Sequence, residues 1–326
     1  MIAGALLALV GCIACGQALA DPLPAGLTSD HDLRGAYRAA LCGRPDMPAA
    51  DCETALRTYT GEVPAPRPPA ADAARYRLVF VPGFMASCFP SIHTFGDAAD
   101  AARRAGYAVD VVDPGGRNGI AANARFLAEY VERIPPDGRR IILVAHSKGA
   151  DDSLQMLATR PDLAARVDAL LTVSGALQGS PLADDLHFMY GVTFGVLPFE
   201  GCDRGDGDAV ADLQPEARRL WWQRMGASLR TPIYSIVSLP DFDRLSPSLV
   251  LPYLTLSRVA PDNDGMLPVH SQLVPSARLL GVVNADHLKV AIPHPGVMWL
   301  LAFSPAFFPR PQVVLAAVDV IAAQQP

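Results

Sequence analysis

From residue 75 onward, apolar runs of strand length alternate with stretches of helical periodicity. The apolar runs predict strands at 77–81, 107–112, 140–145 and 167–174, and the periodic stretches predict helices at about 95–105, 119–133 and 148–159. The runs are rich in Val, Ile and Leu and do not alternate with polar residues, which is typical of strands covered on both faces. The repeated strand–helix order predicts an α/β domain with a doubly wound, mostly parallel sheet over residues 75–326.

The rhythm breaks after the fourth predicted strand. Residues 176–230 hold Gly, Asp and aromatic residues without a clear strand, and strand-like runs resume at 232–239 and 278–284. An insertion at this place predicts a cap over a pocket. Its aromatic residues suggest an apolar acyl-binding cleft, and packing of the cap itself is the more common alternative for such residues. They are Phe188, Tyr190, Phe194, Phe199, Trp221 and Trp222.

Residues 21–74 predict an N-terminal helical segment with a Pro-rich linker. Ser29 or Asp30 is a candidate cap for a helix through Leu41, and Asp51 is a candidate start for a helix through Tyr59. Cys42 and Cys52 lie at the facing ends of these helices, so we expect a local disulfide bond between them. The stretch EVPAPRPPAADAA that follows has no periodicity, which is typical of a linker.

The first 20 residues predict a secretory signal peptide. An apolar segment is followed by Ala18-Leu19-Ala20, a small-x-small cleavage pattern. Leu9-Val10-Gly11-Cys12 also resembles a lipobox, which would make Cys12 a lipid anchor and the only reason for membrane contact. Cleavage after Ala20 leaves an even set of cysteines, as expected in an oxidising compartment. We therefore expect a periplasmic or secreted protein, with a Cys12 lipoprotein as the alternative.

Composition narrows the class of partner. The chain has 326 residues, half of them hydrophobic, and a net charge of −6. It lacks the basic face that nucleic-acid binding requires, so we expect no nucleic-acid partner.

The main chemical signal follows the third predicted strand. The run Ile141 to Ala145 leads into His146-Ser147-Lys148-Gly149 and then a helix. A small-x-Ser-x-Gly pattern between a strand and a helix is the nucleophile elbow, which exposes the serine hydroxyl on a sharp turn. A serine that only caps a helix is the alternative interpretation of the same five residues.

On these residues the chain resembles the α/β-hydrolases, and most of all bacterial secreted lipases and esterases, over roughly residues 75–300. It is also similar to a set of proteobacterial α/β-hydrolases with a cysteine-containing N-terminal helical segment. The resemblance implies an oxyanion hole made by two backbone N–H groups. One belongs to Lys148. The other belongs to Phe84 in the stretch VPGF, where Pro82 replaces the usual His.

The resemblance also implies the remaining catalytic groups. The elbow serine, Ser147, would attack the substrate. Asp264 in Asn263-Asp264-Gly265 would be the acid, and His287, which follows a predicted strand, would be the base. The three residues occur along the chain in the family's order Ser, Asp, His. Asp262 is the alternative acid. No cofactor is expected.

Two charged features leave alternatives open. Similar lipases with a structural calcium carry an Asp where this chain has Lys289, so we expect no metal, although Asp203, Asp206 and Asp208 are candidate ligands. Lys148 is either a surface residue paired with Asp151 or Asp152, or a cation at the mouth of the pocket.

These residues together predict an exported serine hydrolase that cleaves small-molecule or lipid carboxylic esters through an acyl-enzyme. Acyl transfer, thioester cleavage or polyester cleavage would use the same residues, and a binding protein on a hydrolase fold is the alternative of another class. With Cys42 and Cys52 paired, Cys88 and Cys202 remain for a second disulfide between the oxyanion loop and the cap. The sequence leaves the other pairings of these four cysteines open.

Overall fold

The computed structural model of the protein describes residues 29–59, 62–89, 92–184, 205–293 and 302–325. Within these ranges, six strands form one parallel sheet in the order β2-β1-β3-β4-β5-β6. The strands are β1 (Tyr76–Val81), β2 (Ala108–Val111), β3 (Arg140–His146), β4 (Val167–Val173), β5 (Ile233–Ser238) and β6 (Arg278–Val283). Each lies within a residue of a predicted apolar run, and the predicted parallel α/β sheet is confirmed.

The helices pack on both faces of this sheet. They are α1 (Arg34–Cys42), α2 (Ala49–Ala55), α3 (Gly96–Arg104), α4 (Ile120–Arg133), α5 (Lys148–Thr159), α6 (Pro161–Ala164), α7 (Pro215–Met225), α8 (Val250–Leu256) and α9 (Arg310–Ala323). Helices α1, α3 and α9 bury their apolar residues on one face, and α4 and α5 on the other.

Alternate residues of β1 enter different cores. Leu78 and Phe80 of β1 belong to the first apolar cluster, whereas Val79 and Val81 belong to the second. Successive side chains of a strand point to opposite faces, and here both faces are covered. This is why the strands appear in the sequence as continuous apolar runs.

The strand order reverses beside β1. The chain passes from β1 to β2 on one side and then returns to place β3 on the other side of β1. In open parallel sheets, ligands bind at the carboxyl ends of the strands next to such a reversal. The loop after β1 and the turn after β3 both lie at this position, and they carry Gly83 and Ser147.

The N-terminal segment covers the β6 edge of the sheet. Leu33 N–H donates to Leu279 O at 2.8 Å, and Arg57 N–H donates to Val282 O at 2.9 Å. Tyr37 of α1 is completely buried, in the same core as the strands. The segment therefore protects an edge that would otherwise present unpaired backbone groups.

Three predicted features of this segment can be compared with the structure. A disulfide bond joins Cys42 to Cys52, with 5.4 Å between their Cα atoms. The N-cap of α1 is Leu33, so neither Ser29 nor Asp30 begins that helix. Helix α2 ends at Ala55 rather than near Tyr59, because Leu56 forms a bridge with Val283 of β6.

Two predictions fall partly or wholly outside the described residues. They are the signal peptide with its alternative anchor Cys12, and the cap aromatics Phe188, Tyr190, Phe194 and Phe199. Among the residues that the structure describes, no helix is both long enough and apolar enough to cross a bilayer.

Candidate active site

The serine of the predicted elbow sits on a sharp turn. Ser147 connects β3 to α5 with φ 52° and ψ −130°, in the left-handed φ range that a side chain rarely adopts. Helix α5 passes close to the end of β1, since a Cβ at Gly149 would lie 2.4 Å from Pro82 O. Glycine at this position allows the helix to approach the strand and the serine to stand at the edge of the sheet.

The structure brings together the three side chains that the sequence predicted from separate regions. His287 Nε2 lies 2.9 Å from Ser147 Oγ, and His287 Nδ1 lies 2.9 Å from Asp264 Oδ2. Asp264 is in the loop after α8, and His287 follows β6. Because Nδ1 faces a carboxylate, it carries the proton, and Nε2 is left to accept from the serine hydroxyl.

Both carboxylate oxygens of Asp264 accept hydrogen bonds. Oδ1 accepts from the backbone N–H groups of Met266 at 2.9 Å and Leu267 at 2.7 Å, while Oδ2 faces His287. The residue is completely buried. Asp262 is exposed and contributes only its backbone carbonyl, which accepts from Val269 N–H at 2.9 Å. The structure thus places Asp264, and not Asp262, against the histidine.

A second histidine supports the first. His146 Nε2 donates to the backbone carbonyl of His287 at 2.8 Å, and the two rings lie 4.8 Å apart between centroids. Burial, together with the nearby His287, lowers the pKa of His146 to about 3. His146 is therefore a neutral donor that fixes the backbone of His287.

The loop after β1 touches the serine. A Cβ at Gly83 would lie 2.7 Å from Ser147 Cβ and 3.0 Å from His146 O, so only glycine fits. The next turn is held by Met85, which has φ 58° and donates its N–H to Gly116 O at 2.8 Å. Phe84 follows Gly83 directly, and Lys148 opens α5. Both predicted oxyanion donors thus belong to the two turns that meet at Ser147.

The predicted pairing of Lys148 with Asp152 is confirmed, but its side chain lies neither on the surface nor at the pocket mouth. Its side chain is buried, Nζ donates to Asp152 Oδ1 at 2.7 Å, and the residue does not line the cavity described below. Asn123 Nδ2 of α4 donates to the other oxygen of Asp152 at 2.8 Å. The first turn of α5 is buried because α4 and α7 pack around it.

A second buried ion pair lies beside the first. Arg218 of α7 contacts Asp151 at 2.7 Å, and both side chains are almost completely buried. Burial raises the pKa of Asp151 and of Asp152 to about 6, against the opposing effect of the neighbouring cations. The Arg218–Asp151 pair connects the helix behind Ser147 to α7, in the later part of the predicted cap insertion, whereas the Lys148–Asp152 pair lies within α5.

A cavity of about 400 Å³ opens beside Ser147 and His287. Apart from these residues and His146, its lining is apolar or uncharged, and it includes Phe84 and Met85. The other described lining residues are Gly83, Ala86, Phe89, Ile92, Thr94, Ala176, Ser180, Leu182, Ala183, Val210, Leu213, Ser248, Met266, Leu267, Leu288, Ile292, Ala302 and Phe303.

Trp221 and Trp222 do not line this cavity, so the packing alternative holds for these two cap aromatics. They pack against the second core from α7, and Trp222 Nε1 donates to Leu177 O at 2.7 Å. Their apolar faces are used for holding α7 on the domain. The apolar lining comes instead from loops at the carboxyl end of the sheet.

Two acidic residues of the predicted cap insertion accept hydrogen bonds from the end of a helix. Asp206 Oδ1 accepts from Gly119 N–H at 2.7 Å and Asp212 Oδ2 from Ile120 N–H at 2.6 Å, at the N-terminus of α4. Asp203 lies outside the described residues. Among the described residues, no three His, Cys, Asp or Glu side chains are grouped to hold a metal ion.

Lys289, which stands where similar lipases carry an Asp, donates Nζ to Ser304 O at 2.7 Å. Burial and the nearby Arg310 lower the pKa of Lys289 to about 8. Asp286, next to the histidine, accepts from Ser246 N–H and Lys289 N–H and so points away from Ser147.

The second predicted disulfide is only half described. Cys88 is disulfide-bonded, and Cys202 lies outside the described residues. The pairing of Cys88 with Cys202 stays a prediction, which non-reducing peptide mapping tests.

Sequence reasoning missed one residue at the site. Ser174 follows β4, has φ 50° and donates its hydroxyl to Asp264 Oδ2. Its signal in the sequence is a serine directly after a buried strand, as at Ser147, with a glycine at the next position, where Ser147 has Lys148 and then Gly149.

Comparison with known structures identifies the family. A metagenomic carboxyl esterase, MGS0156, is 32% identical, with a TM-score of 0.84, over 94% of this chain and 96% of that one. The chain belongs to the α/β-hydrolase superfamily. A Bacillus licheniformis lipase, BlEst2 in its mature form, shares the fold at 23% identity, with a TM-score of 0.53, over 66% of this α/β-hydrolase and 86% of the lipase. No protein-family model and no curated protein sequence matches the chain.

Proposed function

We propose that this protein is an exported serine hydrolase that cleaves carboxylic esters through an acyl-enzyme. The observation that carries the proposal is the continuous set of hydrogen bonds from Asp264 through His287 to Ser147, at the wall of an apolar cavity. The likeness to a carboxyl esterase over nearly the whole length of both chains supports ester hydrolysis.

Each side chain has one task in the proposed reaction. Ser147 Oγ attacks the ester carbonyl while His287 Nε2 takes its proton, and the imidazolium that forms is stabilised by Asp264. The same Nε2–H then protonates the leaving alcohol oxygen, which leaves an acyl group on Ser147. In the second half, His287 Nε2 removes a proton from water and the water oxygen attacks the acyl carbonyl. The bond between the acyl carbon and Ser147 Oγ then breaks, Oγ takes the proton from Nε2, and the carboxylic acid leaves.

The negative charge of the tetrahedral intermediates is assigned to the backbone N–H groups of Phe84 and Lys148. A Lys148 side chain that is buried and paired leaves only its N–H for this role. The helix N-terminus beneath Ser147 favours the same charge. Preorganised donors of this kind stabilise the transition state without reorganisation.

The lining of the cavity supports an uncharged acyl group. Among the described lining residues the ionisable side chains are His146 and His287. His146 is held neutral, because burial lowers its pKa to about 3. A charged acyl chain would lose its hydration there without gaining a partner. We therefore assign small-molecule or lipid esters with apolar acyl groups as substrates.

Two measurements test the proposal. Folded wild-type protein should react with a fluorophosphonate probe and hydrolyse p-nitrophenyl esters, and Ser147→Ala should abolish labelling and lower kcat by on the order of 10⁴ or more. Ser153→Ala is the matched control, since Ser153 is another buried serine of α5 and donates to Gly149 O. Wild-type protein that neither labels nor turns over would instead be a binding protein on this fold.

Export is proposed from the leader-like first 20 residues and the Cys42–Cys52 disulfide. Expressed in a Gram-negative host, the mature chain should begin at Asp21. Mass spectrometry of the N-terminus decides between this and a diacylglyceryl group on Cys12.

A further inference from the structure

We propose that Ser174 is a positioning residue of the active site, which holds the carboxylate of Asp264 so that it orients His287. This inference rests on the proposed function, because it assigns a task to a hydroxyl behind the proposed acid. Ser174 neither lines the cavity nor touches Ser147 Oγ in the hydrogen bonds that the structure shows.

Ser174 is held in the same unusual backbone region as the nucleophile. It follows β4, the neighbour of β3, and has φ 50° beside 52° for Ser147. Its N–H donates to Ile236 O at 3.0 Å, which fixes the turn to β5. A side chain at positive φ carries a backbone cost that glycine avoids. A serine kept there at complete burial points to a use for its hydroxyl.

The hydroxyl completes the coordination of a buried carboxylate. Asp264 Oδ1 accepts two backbone N–H groups, and Oδ2 accepts from His287 Nδ1 and from Ser174 Oγ. An ionised carboxylate has about four acceptor positions. All are filled without water, and the Ser174 bond is the one to a side chain that is not itself part of the proposed reaction.

The other side of the hydroxyl is fixed as well. Gln272 Oε1 lies 3.2 Å from Ser174 Oγ and accepts from Ser238 N–H at 2.7 Å, while Gln272 Nε2 donates to Ser238 O at 3.0 Å. This pair of bonds to the β5 backbone sets which end of the amide faces Ser174. Gln272 is completely buried. The orientation of the Gln272 amide is therefore fixed, with Oε1 facing the Ser174 hydroxyl.

Loss of the hydroxyl should change both orientation and charge. Oδ2 would keep only the His287 bond, and the carboxylate would be freer to rotate away from Nδ1. The negative charge of Asp264 would also lose the hydrogen bond from the Ser174 hydroxyl, so the carboxylate would stabilise the His287 imidazolium more strongly. The first effect lowers kcat, and the second moves the acidic limb of the pH–rate profile to higher pH.

The test compares Ser174→Ala and Ser174→Gly with Thr172→Val. Alanine removes the hydroxyl but keeps the backbone strain, whereas glycine removes both. Comparing the two variants therefore separates the loss of the hydroxyl from an effect of backbone strain. Thr172 is two residues earlier on β4, and its buried hydroxyl pairs with Ser235 Oγ at 2.9 Å, away from the site. The charged and titratable groups that face His287 are Asp264, His146 and, behind Asp264, Asp286, and all three stay unchanged.

We expect both Ser174 variants to label fully with the fluorophosphonate. Their kcat should fall about tenfold with little change in KM. The acidic limb of their pH–rate profile should move upward by about half a pH unit. Thr172→Val should do neither. The inference is overturned if both Ser174 variants match Thr172→Val, or if only Ser174→Ala loses activity, since the hydroxyl would then serve only to hold the strained backbone and not to position Asp264. Unlabelled, inactive wild-type protein would overturn the proposed function and this inference together.

Discussion

Lys148 Nζ lies 2.7 Å from Asp152 Oδ1, and both side chains are almost completely buried directly behind the turn that holds Ser147. The side chain of Lys148, next to Ser147, therefore places its charge in the interior of the domain and not in the cavity. This separates the two uses of Lys148, since its backbone N–H is the proposed oxyanion donor.

Lys148→Met should destabilise the fold much more than it changes the chemistry. Removing one partner of a buried ion pair leaves an uncompensated charge and costs about 3–5 kcal/mol of unfolding free energy. The double variant Lys148→Met, Asp152→Leu should recover a large part of this loss, because it removes the orphaned carboxylate. Urea unfolding of the three proteins measures both effects.

Arg103→Met is the matched control for loss of a cation. Arg103 pairs with Asp100 at 2.8 Å, but both side chains are largely exposed, and such pairs contribute little. If Lys148→Met were no more destabilising than Arg103→Met, the pair behind the elbow would have no structural role.

Asp264→Asn should lower kcat by roughly 10³ to 10⁴. The amide cannot stabilise the imidazolium, and its NH₂ group favours the wrong tautomer of His287. Asp262→Asn removes an exposed carboxylate two residues away and should leave kcat nearly unchanged. Steady-state kinetics of the two variants decides, and the reverse order of effects would transfer the role of acid to Asp262.

The strands and the turn that holds Ser147 were predictable because local sequence determines both. Runs rich in Val, Ile and Leu mark β1 and β3 to β6, which are almost completely buried, and β2 lies within such a run although its residues are partly exposed. The elbow is a contiguous strand–Ser–helix pattern. Helix α9 was missed because it is apolar on nearly all sides, with Val313 to Ile321 buried in succession. A helix without a polar stripe has no amphipathic period to detect.

Lys148 and Ser174 show what local sequence does not contain. The burial of Lys148 depends on α7, which follows about 70 residues later in the sequence and packs over the first turn of α5. The task of Ser174 depends on Asp264 and Gln272, which reach it only through the order of the strands. A short motif does not encode either of these contacts, because the partner residues lie far away in the sequence.

Gly83→Ala should lower kcat by on the order of 10² to 10³ while KM changes little. The added methyl group would lie 2.7 Å from Ser147 Cβ and 3.0 Å from a backbone oxygen, so the loop that carries Phe84 N–H must shift. Gly96→Ala is the control, since its Cβ would meet only the His93 side chain at 3.1 Å. Equal kinetics for the two variants would contradict the assignment of this loop to the oxyanion hole.

Replacing Cys42 and Cys52 together by Ala should lower the unfolding free energy by about 2–3 kcal/mol, the value that the loop-entropy model gives for a short closed loop. Activity at 25 °C should remain, because Tyr37 and the backbone bonds to β6 still hold the segment. Substitution is preferred to reduction, because Cys88 is also disulfide-bonded. A large loss of kcat in the folded double variant would show that this segment also shapes the site.

His146 should make the folded state sensitive to acid. Its pKa is lowered to about 3 by burial, whereas an unfolded histidine has 6.5. Below pH 6.5 the unfolded chain therefore binds a proton that the folded protein does not. The contribution of His146 to stability is fully present above pH 6.5 and is lost progressively as pH falls toward 3.

Between pH 7 and 4.5 this difference amounts to on the order of 2–3 kcal/mol. Urea unfolding at both pH values should show wild-type protein losing more stability than His146→Gln, which keeps a donor for His287 O, and than His146→Phe, which keeps only the ring. Other groups titrate alike in all three proteins and cancel in the comparison. Variants as acid-sensitive as wild type would show that His146 is protonated in the folded state, and the hydrogen bond from its Nε2 would then have to be assigned to an imidazolium.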